Sequence, residues 1–306
     1  MAKYHFLGNA LVLTAAALWA TLGVFYRKII GAYDLSLFAI VFWRAMAAAV
    51  FLWSFLLLFR RSRLRVSKND RWLFSTLGVV GIGCFFIAYI YAIVLTGLGI
   101  AALLLYTAPV WVTLYSALGL KERIAGRKAL ALILAIIGII LVAHVFEIEK
   151  AGMSVLGLIS GLGAGLGYAA YILLNKSAVQ RGYSPWVISA YSLGIGGLFL
   201  LFFQSPEEQR TIISTPTAVI WLTVLATVPT LGGAVAFNAG LKFLPASNAS
   251  IVATLEPAIA TFLGWIFFGE KVDILHLAGG GLIISAVILL QLPETGPIPE
   301  PEASNP

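Results

Sequence analysis

Two charged residues stand inside apolar stretches long enough to cross a membrane, and they are the first candidates for chemistry. Glu256 is the only charge between Ala249 and Gly269, and Arg44 lies within the apolar segment 35–59. At about 1.5 Å per helical residue, both fall near the middle of a bilayer core of roughly 30 Å. Ionisable groups at that depth are costly and usually face protein or a water-filled cavity.

An acid and a base facing one cavity would suit the ammonium and carboxylate ends of a zwitterion. The alternative is an internal ion pair between Arg44 and Glu256 that only fixes helix packing. Glu256 could also carry a proton, because burial raises the pKa of a carboxyl group towards neutral pH. The residue types leave these three roles open.

Aromatic and amide side chains within the apolar segments form a second candidate set. Rings can stack on a substrate or hold a cation over their faces, although packing alone explains many of them. Trp19 and Tyr168 are the stronger candidates because they occupy repeated positions. The full set of substrate-binding candidates is Arg44, Glu256, Trp19, Tyr91, Tyr106, Tyr168, Tyr171 and Asn238.

Two prolines mark expected breaks in the helices. Pro109 and Pro257 lie 148 positions apart, and each lies inside an apolar segment. Proline lacks the backbone N–H, so it removes one hydrogen bond and kinks or loosens a helix. We predict that both take part in gating.

The spacing of these prolines belongs to a duplication of most of the chain. Glu122 precedes Glu270 by the same 148 positions, whereas Trp19 precedes Tyr168 by 149, as one inserted residue would cause. A period this long indicates a duplicated membrane unit. The predicted organisation is a first repeat in 1–150, a second in 151–292, and a disordered, acidic, proline-rich tail in 293–306.

The amino-acid composition indicates a membrane protein. The 306 residues are 60% apolar and 11% charged, whereas a soluble domain carries about 25% charge. Ten apolar segments are predicted, five in each repeat: 6–26, 35–59, 72–95, 98–118, 127–146, 154–175, 185–204, 217–241, 246–268 and 274–291. The fold class is therefore an all-α membrane protein with ten transmembrane helices.

Charge in the loops predicts the orientation. If the N-terminus is cytoplasmic, fourteen of the twenty Lys and Arg residues lie on that side and five on the other. The positive-inside rule then places both termini in the cytoplasm of a bacterial-type inner membrane. Five helices per repeat insert the second repeat upside down, and such inverted repeats place the substrate site near the midplane.

Other signals limit partners and chemistry. No phosphate-binding loop or metalloprotease motif is present, so we expect neither an enzyme nor a bound cofactor or metal. The net charge of +7 is confined to short loops and does not indicate a nucleic-acid partner. The glycine run from Gly157 to Gly167 favours internal helix packing, hence a monomer, over a dimer face. The expected partners are the lipid bilayer and a small-molecule substrate.

The duplicated motifs resemble those of the drug/metabolite transporter superfamily, in particular its EamA-type ten-helix exporters. The resemblance covers about 7–291. It rests on Tyr106-Thr107-Ala108-Pro109 with Leu118-Gly119-Leu120-Lys121-Glu122, on Leu255-Glu256-Pro257 with Phe268-Gly269-Glu270-Lys271, and on Phe42-Trp43-Arg44-Ala45.

The resemblance implies export or exchange of small polar metabolites, with amino acids prominent among them. We therefore predict a secondary exporter of zwitterionic metabolites that works by alternating access around a midplane cavity. One alternative is a nucleotide-sugar or organophosphate exchanger of the same superfamily, which would need more basic residues than Arg44. A second is a receptor or assembly factor, although the short loops offer it little binding surface.

Overall fold

Long apolar helices make up nearly all of the structure. The computed structural model describes residues 2–119, 126–143 and 154–291. Ten long helices occur in these ranges: α1 Tyr4–Tyr33, α2 Leu37–Phe59, α3 Lys68–Thr96, α4 Leu98–Leu118, α5 Gly126–Val142, α6 Val155–Gln180, α7 Pro185–Phe203, α8 Pro216–Gly240, α9 Ala246–Phe268 and α10 Ile274–Gln291. A short helix, Pro206–Ile213, lies between α7 and α8. Glu122 and the predicted tail 293–306 lie outside the described residues.

Nine of these helices have at least 18 residues and are apolar enough to cross a membrane, within the ranges just given. The remaining one, α5, spans 17 residues and packs along α10. The ten predicted segments therefore correspond to the ten long helices, and the all-α fold class is confirmed. The short helix Pro206–Ile213 was not predicted.

Helix α1 differs from its predicted segment because it extends beyond residue 26 to Tyr33. The sequence suggested an end near Arg27 and Lys28, since charges normally leave the apolar core. In the structure Arg27 pairs with Glu270, and the Lys28 ammonium lies over the rings of Trp221 and Phe267 at 6.0 and 5.6 Å. These contacts accommodate both cations on a continuing helix.

The backbone repeats its irregular features at the spacing found in the sequence. Ser36 and Ser184, 148 positions apart, both cap a helix by accepting a hydrogen bond from the N–H three residues later. Helices α3 and α8 each contain a π-helical stretch, at Val79–Cys84 and Ala226–Gly232. Each stretch shifts the helix face that follows it. The two repeats therefore share bends as well as helices.

Both predicted proline breaks are observed as interruptions of a long helix. Helix α4 is divided into Leu98–Leu105 and Ala108–Leu118, and α9 into Ala246–Ala253 and Leu255–Phe268. Proline has no N–H to continue the ladder. The Thr107 hydroxyl donates to the Leu104 carbonyl at 2.7 Å, and the Thr254 hydroxyl donates to Ile251 at 2.6 Å. These hydroxyls satisfy carbonyls near each break.

Glycines allow helices of the two repeats to approach closely. A Cβ built at Gly165 of α6 would lie 2.6 Å from the carbonyl oxygen of Leu104 and would also overlap Thr107 of α4. Between α5 and α10, a Cβ built at Gly138 would lie 2.7 Å from the carbonyl oxygen of Gly279. Small residues at such crossings bring backbones together and stabilise membrane helix pairs.

We expect Gly165→Ala to destabilise the protein by about 1–3 kcal/mol, because the added methyl group meets backbone that cannot rotate away. Gly163→Ala is the matched control on the same helix, since its nearest neighbour would be Ala88 Cβ at 3.9 Å. Thermal unfolding of both purified variants in detergent measures the difference. Equal melting temperatures would contradict the close α4–α6 packing.

Candidate functional site

A cavity of about 510 Å³ lies between the two repeats. Each of the ten helices contributes at least one residue to its wall. The π-helical stretches reach it at equivalent positions, through Ile82 in α3 and Thr230 in α8. The irregular backbone of each repeat is therefore placed where it shapes the cavity.

The cavity opens towards one end of the bundle, which we call the open end. Its wall there includes Arg27 and Glu270, whose side chains are 45% and 43% exposed. The opposite, closed end carries residues 60–71, 181–184 and 241–246. There Lys176 donates hydrogen bonds of 2.7 Å to the carbonyls of Leu241 and Leu244.

Arg44 contributes the positive charge at the inner wall of the cavity. The residue is 8% exposed, and its Nη1 donates to the Tyr26 hydroxyl at 2.7 Å. Its guanidinium carbon lies 4.4 Å from the centroid of the Phe86 ring, within cation–π range. The Nε atom is buried and has no hydrogen-bond partner among the described residues. Arg44 therefore retains an unused donor beside the cavity.

Glu256 contributes the negative charge, at the start of the second segment of α9. It lies directly before Pro257, and both residues line the cavity. The Tyr106 hydroxyl interacts with its carboxylate. In the described ranges no ion pair joins Glu256 to Arg44. The two charges thus face one cavity without neutralising each other by direct contact.

Stacked and tilted rings form the floor of the cavity. Trp19 lies edge-on to Tyr168, with ring centroids 6.4 Å apart, and packs 5.3 Å from Phe237. Tyr168 stacks on Phe85 and Tyr171 at 5.5 and 6.1 Å. The buried Tyr168 hydroxyl has no hydrogen-bond partner among the described residues. The floor thus combines apolar faces with one unused hydroxyl.

The structure brings together seven of the ten residues predicted for binding or gating. Those lining the cavity are Arg44, Glu256, Trp19, Tyr106, Tyr168, Tyr171 and Pro257. Tyr91 instead is 45% exposed and lies against Phe38, and the fully buried Asn238 donates to Ser189 at 3.1 Å. Pro109 is buried in α4, away from the cavity.

Sequence reasoning missed seven polar residues in the wall, namely Arg27, Glu270 and His276 towards the open end and Tyr26, Tyr89, Thr230 and Thr261 deeper in the cavity. Tyr26 stood at the predicted end of the first segment and so was not considered. A signal was present for Thr261, because it repeats Thr113 at the 148-residue spacing. For Tyr89 and Thr230 the repeat gives no such signal, since only packing decides which face of their helices meets the cavity.

The arrangement can bind a small dipolar solute. Its inner part offers one cation, one anion, several hydroxyls and a largely aromatic surface, whereas Arg27 and Glu270 at the open end pair with each other. In the part of the chain that the structure describes, no group of three or more His, Cys, Asp or Glu side chains could hold a metal ion. Paired opposite charges in an otherwise apolar pocket fix the orientation of a ligand.

Known proteins resemble this chain over most of its length. The sequence profile of the EamA-like transporter family matches residues 6–144 and again 155–292. An uncharacterized transporter of Archaeoglobus fulgidus is 32% identical over 284 residues, covering 92% of this chain and 95% of that protein. The pseudopaline exporter CntI of Pseudomonas aeruginosa is 26% identical over 259 residues, covering 84% and 87%.

A solved crystal structure has the same fold, with a TM-score of 0.75 and 16% identity, and covers 92% of this chain and 96% of its own. The double match of the family profile agrees with the repeat found in the sequence and in the backbone. The chain belongs to the EamA-like transporter family, within the drug/metabolite transporter superfamily, and is a multi-pass membrane transporter.

Proposed function

We propose that the protein exports small zwitterionic metabolites, such as amino acids, by alternating access of the central cavity. The observation that carries this proposal is that Arg44 and Glu256 line the same cavity and, among the described residues, form no ion pair with each other. Each repeat supplies one charge, so a ligand that bridges both would link the two halves of the protein.

The chemistry of the wall fits the two ends of an amino acid. A guanidinium presents donors in a planar fork that suits a carboxylate, and Arg44 Nε is free to donate. A carboxylate such as Glu256 accepts from an ammonium group, with the Tyr106 hydroxyl beside it. The rings of Trp19 and Tyr168 leave apolar surface for the remainder of the solute.

The unpaired charges also argue for a ligand on energetic grounds. A buried charge without a partner is destabilising, whereas binding of a zwitterion supplies the missing opposite charge to each side chain. A purely structural role would be better served by direct contact between Arg44 and Glu256. The alternative of a packing ion pair is therefore less well supported by the geometry.

The distribution of Lys and Arg supports an orientation in which the open end faces outward. The arginine-rich segment 60–71 lies at the closed end, which the positive-inside rule assigns to the cytoplasm. Both termini would then be cytoplasmic in a bacterial-type inner membrane, and the second repeat would be inverted relative to the first. The structure would correspond to an outward-open state.

The proposed direction of transport, out of the cell, is supported by one relative. CntI, 26% identical over most of both chains, is named an exporter. A nucleotide-sugar or organophosphate exchanger is less well supported, because a substrate with two phosphate charges requires several cations. Arg44 lies deep in the cavity, whereas Arg27 at its mouth is paired with Glu270.

We expect reporter fusions at residues 66 and 306 both to give cytoplasmic signals, because the positive-inside rule places these positions on the cytoplasmic side. Paired alkaline phosphatase and fluorescent protein fusions at each position measure the side. A periplasmic signal at either one would overturn the proposed topology.

We expect cysteines at Trp19 and Tyr106 to react with a small water-soluble thiol reagent, because both residues line the cavity. The background is Cys84→Ser, which removes the only native thiol. Tyr91→Cys is the matched control, since Tyr91 faces away from the cavity on an apolar helix. Its labelling should be slower by roughly tenfold, because a thiol facing lipid rarely ionises. Equal rates at all three positions would contradict an aqueous cavity.

We expect Glu256→Gln to lower the apparent affinity for transported amino acids by roughly 10- to 100-fold at every pH, as one lost charge-assisted contact predicts. The glutamine keeps the shape and hydrogen-bonding capacity but not the charge. Uptake of radiolabelled amino acids into proteoliposomes measures the effect, and the exposed Glu207→Gln is the control. Loss of pH-driven transport with unchanged exchange would instead assign Glu256 to proton transfer, and unaltered affinity and pH dependence would remove it from the site.

A further inference from the structure

A second, smaller space lies on the outside of the bundle, near its open end. It measures about 200 Å³ and is formed by three helices. Its walls include Val24, Phe25 and Lys28 of α1, Trp221 of α8, and Leu263 and Phe267 of α9. Trp221 and Phe267 are 39% and 53% exposed, so in a membrane this space faces lipid. We call it the lateral crevice.

The lateral crevice is apolar along its length and charged at one end. Its innermost residue, Thr21, donates its hydroxyl to the Leu18 carbonyl at 2.7 Å and so offers no free donor. Lys28 stands seven residues further along α1, which corresponds to about 10 Å of helix towards the open end. The rings of Phe25 and Trp221 pack edge to face between these two levels, with centroids 5.9 Å apart.

The Lys28 ammonium is held in place but keeps donors to offer. It lies over the rings of Trp221 and Phe267, and within the described ranges no carboxylate pairs with it. Ring faces attract the charge without using up its three N–H donors. The crevice therefore presents an oriented cation at its outer end, ready to bind an anion.

The helix segment that forms the back of the crevice also forms a wall of the central cavity. Helix α1 is interrupted at Thr21, and its second segment is Leu22–Tyr33. One face of that segment lines the crevice, whereas Gly23, Tyr26 and Arg27 reach the central cavity. Tyr26 accepts the hydrogen bond of Arg44. A ligand in the crevice would therefore support the segment that carries the partner of Arg44.

We propose that the lateral crevice binds one acyl chain of an anionic phospholipid, with the lipid phosphate at the Lys28 ammonium. The apolar walls fit a hydrocarbon chain, and the crevice is open on the side from which lipid arrives. The cation lies at the outer end, where a headgroup belongs, and lysine near a helix end extends its ammonium towards that level. A zwitterionic lipid brings its own ammonium beside the phosphate and gains less from Lys28.

The test uses Trp221 as a reporter within the crevice wall. Brominated acyl chains quench tryptophan fluorescence on contact. The full chain is reconstituted in phosphatidylcholine vesicles that contain increasing fractions of dibrominated phosphatidylglycerol or dibrominated phosphatidylcholine. The contribution of Trp221 is the difference between the wild type and Trp221→Phe. We expect its half-maximal quenching at a roughly fivefold lower mole fraction of the anionic lipid, as one lysine near a membrane surface provides.

Two variants and one reporter position serve as controls. Lys28→Gln keeps most of the side-chain length but removes the charge, so both lipids should quench Trp221 equally. Val24→Phe narrows the crevice and should weaken quenching of Trp221 by either lipid. Trp265 of α9 is 52% exposed and lies outside the crevice, so it reports the lipid that surrounds the protein. Its quenching should be the same for both lipids, with or without Lys28.

Thermal unfolding gives a second, independent measurement. A ligand that binds only the folded state raises the melting temperature. In detergent micelles, added phosphatidylglycerol should raise that of the wild type by about 2–4 °C more than that of Lys28→Gln. Added phosphatidylcholine should affect both proteins equally.

Each outcome decides the proposal. Equal quenching of wild-type Trp221 by both lipids would mean that the crevice does not recognise a headgroup, and the proposal would be overturned. A preference that persists in Lys28→Gln, or that Trp265 shares, would assign it to the overall charge of the protein and would also overturn it. Absence of quenching at Trp221 would mean that no chain enters. The proposal does not rest on the proposed function, because every measurement is made without a transported solute.

Discussion

The low polarity of the bilayer interior is the constraint on which the rest of the structure depends. A backbone or side-chain polar group there must find its partner within the protein or in enclosed water. The long helices satisfy the backbone, and Thr107 and Thr254 satisfy carbonyls where proline interrupts it. Among the described residues, buried side-chain atoms without a hydrogen-bond partner belong to Arg44 and Tyr168 beside the cavity, and to Thr113, Ser116, Asn175, Asn238 and Asn248 elsewhere in the bundle.

This pattern ties the architecture to transport. A static bundle gains nothing from unpaired polar atoms, because each lowers its stability. A protein that alternates between two arrangements must carry polar groups that one state buries and the other hydrates. The π-helical stretches and the proline breaks fit the same requirement, since each loosens a helix where the two repeats meet.

Periodicity, composition and repeat spacing were sufficient to predict the fold. Apolar length set the number of long helices, and the 148-residue spacing pointed to both breaks, which lie just before Pro109 and Pro257. The site was predicted less completely, for a specific reason. Deep charges are unusual enough to single out Arg44 and Glu256, whereas aromatic residues occur on every face of an apolar helix. Tyr91 and Tyr89 are two positions apart, yet only Tyr89 reaches the cavity. That choice depends on helix rotation, which the apolar sequence of α3 does not fix.

The duplication also explains why the protein has one charged site rather than two. The repeats keep the features that shape the backbone, such as the caps at Ser36 and Ser184 and the two prolines. They differ at the charges: Ser192 stands where Arg44 stands in the first repeat, and Ala108 stands where Glu256 stands in the second. Two copies of each charge would place four uncompensated groups in a medium of low polarity. With one charge from each repeat this cost is smaller, and in the proposed function a bridging ligand would contact both halves. In the proposed function, symmetry in the backbone would permit two equivalent states, and asymmetry in the charges would confine binding to one place between them.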